Sequence, residues 1–263
     1  KDDNDGPAHT KAVRTVCLSQ NAEIIFTGSN DATIISWDVA SGQPRRLYRG
    51  HYDKVTALLQ PKMHFLISGG EDKNVLLWHQ ATGEKIGNYR DPDLTGAVGA
   101  LEWLDGKVLS GHAKEIHKKD MVDKALVVAW DFETRQVVYE LADALGRITG
   151  IRAINENTVC ASAEDKTVRV WDVRSRQEVN CFHGHTAPVH CVCWNQGVEL
   201  IFSGGRDRSI RAWDLRKPSQ VWQAPTKFRD ALMGLDTQSD RVYAASADGH
   251  LASYYIIGLQ EAG

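Results

Sequence analysis

The chain has 263 residues, 42% of them hydrophobic, which is enough to bury a sizeable core in one or two domains. Its formal net charge of −3 excludes the global basic field that drives non-specific binding to nucleic acid or anionic membranes. No apolar run approaches the roughly 18 residues of a membrane-spanning helix, and no signal-peptide pattern is visible. Five cysteines, an odd number, favour reduced thiols, so we expect an intracellular protein, either cytoplasmic or nuclear.

Residues 1–8 are acidic and contain Gly and Pro, so we expect a flexible segment there. Beyond this segment, aromatic residues recur at intervals of 41, 52, 41, 42 and 41 residues: Trp37, Trp78, Trp130, Trp171, Trp213 and Tyr254. Such a period is typical of repeat architectures, in which each unit buries its apolar faces against its neighbours. The sequence therefore predicts six copies of one structural unit.

The stretch from Gly184 to Leu215 is the clearest copy of this unit. Strand-forming residues occupy 189–194, 200–203 and 209–213, and turn-forming residues separate them. This pattern predicts three strands of a small antiparallel sheet. Because such a sheet has two apolar faces, it is stable only when sister sheets pack on both sides of it.

Polar residues recur at fixed offsets within the copies. An Asp stands six positions before the closing aromatic in five of them: Asp31, Asp72, Asp165, Asp207 and Asp248. Three copies also have a hydroxyl residue four positions before that Asp and open with a His: His9 and Thr27, His51 and Ser68, His185 and Ser203. This pattern resembles the WD40-repeat family. The resemblance implies an all-β fold, a β-propeller of four-stranded antiparallel blades, in one domain at 9–263 with blades at about 9–50, 51–90, 91–143, 144–184, 185–226 and 227–263.

In that family the His, the hydroxyl residue, the Asp and the Trp of one blade form a buried hydrogen-bonded chain. The resemblance implies three such structural networks here: His9, Thr27, Asp31 and Trp37; His51, Ser68, Asp72 and Trp78; His185, Ser203, Asp207 and Trp213. Repetition favours a structural role over catalysis, because an active site is built once. The fourth and sixth copies carry Ala161 and Ala244 at the hydroxyl position, and the third and fourth lack an opening His, so we expect softer blades there.

The third copy contains about eleven extra residues, which accounts for its longer spacing. The insert at 111–124 is highly charged and has no strand pattern, so we expect a solvated loop. Its candidate ligands match no metal-binding spacing: His112, His117, Asp120 and Asp123. Cys191 and Cys193 are predicted to pack in a sheet core, since no second Cys pair stands at zinc-ligand spacing. We therefore expect no metal site.

The sequence contains no Gly-rich phosphate loop, nucleophile elbow or zinc-protease motif, so we expect no enzyme activity and no cofactor. The resemblance instead implies a rigid scaffold in an intracellular complex, binding a protein or peptide on the top face of the propeller. The positions that line this face in the family correspond to eleven top-face residues: Arg14, Asn30, Lys54, Thr56, Glu71, Arg147, Thr149, Glu164, His190, Arg206 and Met233. Four are Arg or Lys and two are Glu, which favours an acidic or phosphorylated peptide, and the insert at 111–124 is predicted to extend the site.

Two alternative functions are also compatible with the sequence. The segments 171–174 and 213–216 fit the WDxR box of substrate receptors in cullin–RING ubiquitin ligases, in which Arg174 and Arg216 would contact the adaptor. A subunit of an RNA-associated complex is the other alternative. The basic cluster at 45–49 is short and is not the FRRG motif of lipid-binding propellers, so no lipid partner is expected.

We expect the protein to be monomeric on its own. Six copies are visible, whereas rings of the family most often have seven blades. Because the chain begins at Lys1 rather than Met and its acidic start offers no closing strand, a chain that lacks part of a larger ring is favoured over a six-bladed ring.

Overall fold

The structure, a computed structural model, describes residues 7–91, 94, 96–114, 124–217, 220–224 and 228–256. Within these ranges the strands form six sheets, five with four strands and one with three, and no helix is present. The predicted all-β fold of blade-like antiparallel sheets is therefore confirmed. A helix able to cross a membrane is accordingly not found in this part of the chain. The chain divides into two compact units: Lys1–Glu115 with Val128–Tyr139, and Ile116–Val127 with Glu140–Gly263.

Sheets 1 and 2 belong to the first unit, and the boundary between the units runs through sheet 3. Sheet 1 contains β1 (Val13–Leu18), β2 (Ile24–Ser29), β3 (Thr33–Asp38) and β4 (Pro44–Arg49). Sheet 2 contains β5 (Val55–Leu59), β6 (Phe65–Gly70), β7 (Val75–His79) and β8 (Lys85–Tyr89). Sheet 3 contains β9 (Val98–Leu104), β10 (Lys107–Lys114), β11 (Lys124–Asp131) and β12 (Val137–Leu145).

Sheets 4 to 6 belong to the second unit. Sheet 4 contains β13 (Ile148–Asn155), β14 (Thr158–Ala163), β15 (Val168–Asp172) and β16 (Gln177–Phe182). Sheet 5 contains β17 (Val189–Asn195), β18 (Leu200–Gly205), β19 (Ile210–Asp214) and β20 (Gln220–Gln223), so the three strands predicted between Gly184 and Leu215 are present. Sheet 6 contains β21 (Leu232–Gln238), β22 (Arg241–Ser246) and β23 (Leu251–Tyr255).

Strand register shows that the six sheets are built alike. In each, an apolar residue of the first strand pairs with the hydroxyl position of the second: Val16 with Thr27, Leu58 with Ser68, Leu101 with Ser110, Ile151 with Ala161, Val192 with Ser203, and Leu235 with Ala244. Ser110 therefore occupies the hydroxyl position of sheet 3, although no Asp follows it at the expected offset.

The insert in sheet 3 corrects one expectation. β10 continues to Lys114 and β11 begins at Lys124, so both ends of the segment predicted as a loop without strands are strand. His112 lies in β10 and is buried rather than solvated. The central residues of the insert, 115–123, lie outside the described residues, and with them His117, Asp120 and Asp123.

Sheets 1 to 3 approach one another at glycines of the second strand. A Cβ on Gly69 would lie 2.4 Å from Cγ1 of Val98, so this valine occupies the space that a side chain on sheet 2 would need. Gly28 and Val55 repeat the arrangement between sheets 1 and 2, at 2.7 Å. The hydroxyl of Thr56 then donates to the carbonyl oxygen of Val98, at 2.5 Å. Close approach at glycine thus joins sheet 1 to sheet 2 and sheet 2 to sheet 3, and a side-chain hydrogen bond adds to the second contact.

Similar contacts join neighbouring sheets in the second unit. The hydroxyl of Thr149 in sheet 4 donates to the carbonyl oxygen of Val189 in sheet 5, at 2.6 Å. The rings of Phe182 and Trp213 stack with centroids 5.3 Å apart inside an apolar cluster that spans these two sheets. Between sheets 5 and 6, a Cβ on Gly204 would lie 3.0 Å from a methyl of Leu232.

A tight turn follows the second strand of five sheets. The residue after the turn Asp has a positive φ in each: Ala32 at 65°, Lys73 at 67°, Lys166 at 72°, Arg208 at 62° and Gly249 at 83°. The Asp carboxylate accepts the backbone N–H two residues later, for example that of Asn74 at 3.1 Å from Asp72. This hydrogen bond closes an Asx turn and fixes the left-handed residue within it.

Candidate functional site

The four predicted residues of sheet 2 form one hydrogen-bonded chain. The indole N–H of Trp78 donates to Oγ of Ser68 at 2.8 Å, and Nε2 of His51 lies 2.6 Å from the same oxygen. Nδ1 of His51 lies 2.8 Å from the carboxylate of Asp72. Because a carboxylate only accepts, Nδ1 donates to Asp72, while Nε2 and the Ser68 hydroxyl are hydrogen-bonded to each other. Each of these four side chains therefore has a hydrogen-bond partner within the set and needs no ligand.

Sheets 5 and 1 bring together the other two predicted sets. In sheet 5, His185 lies 2.8 Å from Asp207 and 2.7 Å from Ser203, which accepts the indole N–H of Trp213 at 2.8 Å. In sheet 1, Thr27 replaces the serine: its Oγ1 lies 2.8 Å from Nε2 of His9, accepts the indole of Trp37 at 2.7 Å, and Asp31 completes the set.

Burial and hydrogen bonding act in opposite directions on the network carboxylates. Burial alone would raise the pKa of Asp207, but hydrogen bonds from His185 and Ser209 outweigh it, and the pKa lies well below its usual range. Asp72 behaves in the same way, with His51 as the main donor that lowers its pKa against burial. These aspartates are ionised acceptors, which suits a structural role and not proton transfer near neutral pH.

His112, in the second strand of sheet 3, takes the place of the missing network histidine. Its Nε2 lies 2.8 Å from Oγ of Ser110, which accepts the indole N–H of Trp130 at 2.7 Å. Nδ1 faces the carbonyl oxygen of Gly96 at 3.4 Å instead of an Asp. Burial lowers the pKa of His112 to about 4, so the ring is neutral. The sequence does not mark His112 as a network residue, because the family pattern places the His before the first strand.

Sheet 4 replaces its missing partners with backbone and arginine. The indole N–H of Trp171 donates to the carbonyl oxygen of Ala142 at 3.0 Å, so Ala161 leaves no unpaired donor behind. Asp165 accepts the Thr167 hydroxyl at 2.5 Å and an Arg169 guanidinium N–H at 3.2 Å. The network that the sequence indicated as incomplete is therefore rebuilt from other groups.

Sheet 6 has a simpler arrangement. Asp248 accepts the backbone N–H groups of Arg229 at 3.0 Å and of His250 at 3.2 Å. The imidazole of His250 also contacts the carboxylate, at 3.0 Å, but it is largely exposed. Tyr254 packs on Phe228, with ring centroids 6.5 Å apart. Among the described residues of this sheet no buried histidine takes part, in contrast to sheets 1, 2 and 5.

Cys191 and Cys193 lie side by side in the apolar cluster between sheets 5 and 6. Burial raises the pKa of Cys191 to about 12, so its thiol is neutral. All five cysteines are free thiols. Across the described ranges, no three His, Cys, Asp or Glu side chains come together as a metal site.

The top-face residues of the first unit lie at one end of their sheets. The backbone N–H of Glu71 donates to the carbonyl oxygen of Lys54 at 2.8 Å, which holds the turn against the start of the first strand. Arg14 and Asn30 are joined in sheet 1 by a 2.9 Å side-chain hydrogen bond. Thr56 differs from the rest because its hydroxyl is used between sheets 2 and 3.

The second unit repeats this arrangement. The N–H of Glu164 donates to the carbonyl oxygen of Arg147, and that of Arg206 to the carbonyl oxygen of Pro188, both at 2.9 Å. Burial lowers the pKa of His190, while Glu164 and Arg206 influence that pKa electrostatically in opposite directions. The charges of Glu164 and Arg206 therefore act on the same imidazole, an electrostatic coupling that the sequence does not reveal.

The two remaining top-face residues of this unit differ from each other. Thr149 is half-buried and hydrogen-bonds sheet 5 through its hydroxyl. Met233 is exposed on the first strand of sheet 6.

Arg174 and Arg216 follow the third strands of sheets 4 and 5. Arg216 donates two hydrogen bonds to Asp214, at 2.8 and 2.9 Å, which orient its exposed guanidinium. Arg174 lines an open cleft of about 690 Å³ together with Glu156, Asp172 and Trp194. The matching arginines are thus held differently, one by a carboxylate and one beside a cleft.

A second cavity, of about 340 Å³, lies in the first unit. Its lining includes the network residues Asp72 and His112, the aromatic rings of Tyr52 and Tyr89, and the side chain of Arg90. Tyr52 donates its hydroxyl to the carbonyl oxygen of Asp72 at 2.9 Å. Both network residues also make the internal hydrogen bonds described above.

A protein-family model and several proteins of known name match this chain. The family model described as WD domain, G-beta repeat, matches residues 6–38, 42–79, 138–172 and 176–214, more than half of the chain. Serine-threonine kinase receptor-associated protein of Bos taurus is 25% identical over 239 residues, covering 85% of this chain and 61% of the relative. Ribosome biogenesis protein YTM1 of Candida glabrata is 21% identical over 210 residues, which cover 77% of this chain and 46% of that relative. The chain thus spans less than two thirds of these relatives.

Solved structures resemble the chain in fold. The structure of U3-55K superposes with a TM-score of 0.81 at 18% identity, covering 95% of this chain and 79% of that one. The WD40 β-propeller domain of Doa1 superposes with a TM-score of 0.76 at 17% identity, and the match covers 92% of this chain and 78% of that one.

Proposed function

Because the chain belongs to the WD40-repeat family, whose members typically serve as protein-interaction scaffolds and are generally non-catalytic, we propose that it is a scaffold that binds a protein or peptide through its top-face residues. We further propose that it acts as a subunit of an intracellular complex in the cytoplasm or nucleus. The hydrogen bonds described above support a non-catalytic role, since each network histidine and aspartate is already paired inside its own sheet.

One observation carries the proposed location of the site. The turn residue before the Asp is hydrogen-bonded to the start of the first strand in sheets 1, 2, 4 and 5, which supports a common position for the proposed partner-binding side chains at one end of each sheet. Their backbones are fixed by these bonds, so the side chains are displayed on rigid supports. Rigid display lowers the entropy lost on binding a partner.

The charges at these sheet ends support an acidic or phosphorylated peptide as the partner. Arg14 and Lys54 lie at the ends of sheets 1 and 2, and Arg147 and Arg206 at the ends of sheets 4 and 5. A guanidinium matches a carboxylate or phosphate with two parallel hydrogen bonds. Glu71 and Glu164 beside these cations would disfavour a polyanion such as RNA, so a peptide with spaced charges fits better.

The test compares partners captured by matched variants. Arg14, Arg147 and Arg206 are changed together to Glu, and the tagged wild type and variant are used to capture proteins from the same lysate. We expect the variant to lose specific partners at least tenfold in quantitative mass spectrometry, with an unchanged melting temperature. Double substitution of Arg174 and Arg216 to Ala is the control, because it tests the adaptor-receptor alternative at the third-strand ends. Loss of partners only in this control would contradict the top-face proposal.

A nuclease-treated lysate distinguishes the RNA-associated alternative. Partners that disappear after RNase treatment are held through RNA, whereas direct protein partners persist. Steep loss of captured protein with added salt is expected in either case, since the contacts are charged.

A further inference from the structure

Two tryptophans outside the networks hold the same position in their sheets. Trp103 of sheet 3 and Trp194 of sheet 5 both lie near the end of a first strand. Each pairs with the second-strand residue that stands two positions before the hydroxyl position: Trp103 with Val108, and Trp194 with Ile201. Both tryptophans are half-buried. They are therefore counterparts, and the surroundings of one can be compared with those of the other.

A lysine of sheet 2 covers Trp103. The connection between the first two strands of sheet 2, residues 60–64, places Nζ of Lys62 5.8 Å from the centroid of the Trp103 ring and 4.5 Å from that of Phe132. The same Nζ lies 3.2 Å from the carboxylate of Glu133. An ammonium within about 6 Å of an aromatic centroid is attracted by the electrons of the ring. Sheets 2 and 3 thus form a cation site that the chain fills with its own lysine.

The corresponding space beside Trp194 is an open cleft. In sheet 4 the connection between the first two strands consists of residues 156–157 alone, two residues in place of five. The second strand then begins with Thr158, whereas that of sheet 2 begins with the larger Phe65. This connection, Thr158 and Trp194 all line the cleft of about 690 Å³ described above. Its volume is within the range of sites that hold small ligands.

The cleft keeps the kinds of group that hold Lys62. Trp194 supplies an aromatic side chain, and Glu156 and Asp172 supply carboxylates. Arg174 also lines the cleft, so the lining carries two carboxylates and one guanidinium, a net charge of −1. A cationic group that enters therefore meets an aromatic surface and a net negative charge, which are complementary to it.

We propose that this cleft binds a lysine side chain of a partner protein, with the ammonium against Trp194 and Glu156 as its ion-pair partner. The lysine takes the place that Lys62 occupies in sheets 2 and 3, and the open cleft leaves room for the flanking residues of an extended peptide. The cleft lies where the first strand of sheet 4 ends, at Asn155, whereas the top-face residue Arg147 precedes the start of that strand. The lysine site is therefore independent of the proposed top-face function.

The experiment titrates isotope-labelled protein with the peptide acetyl-Gly-Ala-Lys-Ala-Gly-amide and follows the indole N–H of Trp194 by NMR. We expect a saturable shift with a Kd in the millimolar range, and about tenfold weaker binding when glutamine replaces the lysine of the peptide. Trp194→Leu should abolish binding, as followed at the backbone N–H of Asn157. Lys62→Ala should empty the site in sheets 2 and 3, so that the Trp103 indole responds to the peptide only in this variant.

A conservative variant tests the site should Trp194→Leu lower the melting temperature. Glu156→Gln changes an exposed turn residue and should weaken binding about threefold, because it removes the charge of the ion-pair partner. Asp240→Asn is the matched control: it changes a carboxylate in the two-residue connection 239–240 of sheet 6, outside the cleft, and should bind like wild type.

Three outcomes would overturn the proposal. The first is a wild type whose Trp194 indole shows no saturable shift, or the same shift with the glutamine peptide. The second is unchanged binding by Glu156→Gln together with Trp194→Leu. The third is an affinity for n-butylamine equal to that for the peptide, which would assign the cleft to a free amine and not to a protein partner.

Discussion

Replacing Asp207 with Ala removes the acceptor at the centre of the sheet 5 network. Its carboxylate accepts Nδ1–H of His185 and the hydroxyl of Ser209 at 2.8 Å, and the backbone N–H groups of Ser209 and Thr186 at 3.1 Å. Thr186 is exposed, so water replaces the lost acceptor there. His185 and Ser209 are buried, and their donors lose their partner in a place that water does not reach freely.

The expected loss follows from these donors. An unsatisfied buried donor costs about 1–3 kcal/mol, and the network loses two buried side-chain donors and one backbone donor. His185 Nδ1 lies 3.5 Å from Oγ of Ser209, and that contact can shorten to recover part of the loss. We therefore expect Asp207→Ala to lower the free energy of unfolding by about 2–4 kcal/mol, and the melting temperature by roughly 6–12 °C in a chain of this size.

The pH dependence gives an independent check. The pKa of Asp207 is lower in the folded chain than in the unfolded chain, so its contribution is fully present above the unfolded pKa of about 4 and is lost as pH falls toward the folded value. The difference in melting temperature between wild type and Asp207→Ala should be constant from neutral pH to about pH 5. It should shrink at lower pH.

Two controls decide whether the network is responsible. Asp248→Ala removes a carboxylate whose imidazole partner, His250, is exposed, so its effect should be smaller. Asp240→Ala changes an exposed Asp and should leave the melting temperature unchanged. If Asp207→Ala melted like Asp240→Ala in urea and thermal unfolding, the argument from buried donors would be refuted. Equal losses for Asp207→Ala and Asp248→Ala would remove the role assigned to the buried histidine.

Three further outcomes are expected. The His112 ring should titrate near pH 4 by NMR, and because its pKa is lowered on folding, stability should fall as pH drops from about 6.5 to 4, an effect absent in His112→Gln. Gly69→Ala should destabilise by about 1–3 kcal/mol because its Cβ meets Val98, and adding Val98→Ala should recover part of that loss in a double-mutant cycle of urea melts. Thr149→Val should cost about 1 kcal/mol through the hydrogen bond to sheet 5; unchanged stability with weaker partner binding would instead make Thr149 a partner contact.

The sequence predicts most of the sheet architecture because the unit repeats. Fixed offsets identify Ser203, Asp207 and Trp213 as members of one set, and the same offsets recur in other copies, so one geometry explains them all. Strand positions follow from alternating apolar residues bounded by turn residues. These signals are local, and each copy of the unit repeats them.

In the irregular sheets, other groups take the place of the missing network residues. These groups do not stand at the family's fixed offsets, so they are harder to predict. His112 occupies the network position from within a strand, because its ring reaches Ser110 from two residues away, and a charged insert that follows it conceals the strand. The indole N–H of Trp171 donates to the carbonyl oxygen of Ala142, which is 29 residues away in the sequence. Every residue has a backbone carbonyl, so the residue type does not indicate which one will accept this hydrogen bond. Sequence patterns identify which side chain is missing but not which neighbouring group takes its place.

The candidate site is predicted less completely for the same reason. Thr56 and Thr149 have the positions of partner-facing residues, yet their hydroxyls reach the backbone of the next sheet. That use depends on the distance between sheets, which no single repeat encodes. The electrostatic influence of Glu164 and Arg206 on His190 likewise has no signature along the chain, because the three residues belong to two different sheets.

The left-handed turns have a consequence for how the surface of this chain can vary. A residue with positive φ is ordinarily glycine, but the Asx hydrogen bond of each turn Asp offsets the strain of a side chain. Lys73, Lys166 and Arg208 each use that tolerance to add a cation to an exposed sheet end. Charge at these ends can therefore change by single substitutions without a change of backbone, so the surface charge and the fold can evolve separately at the same turn.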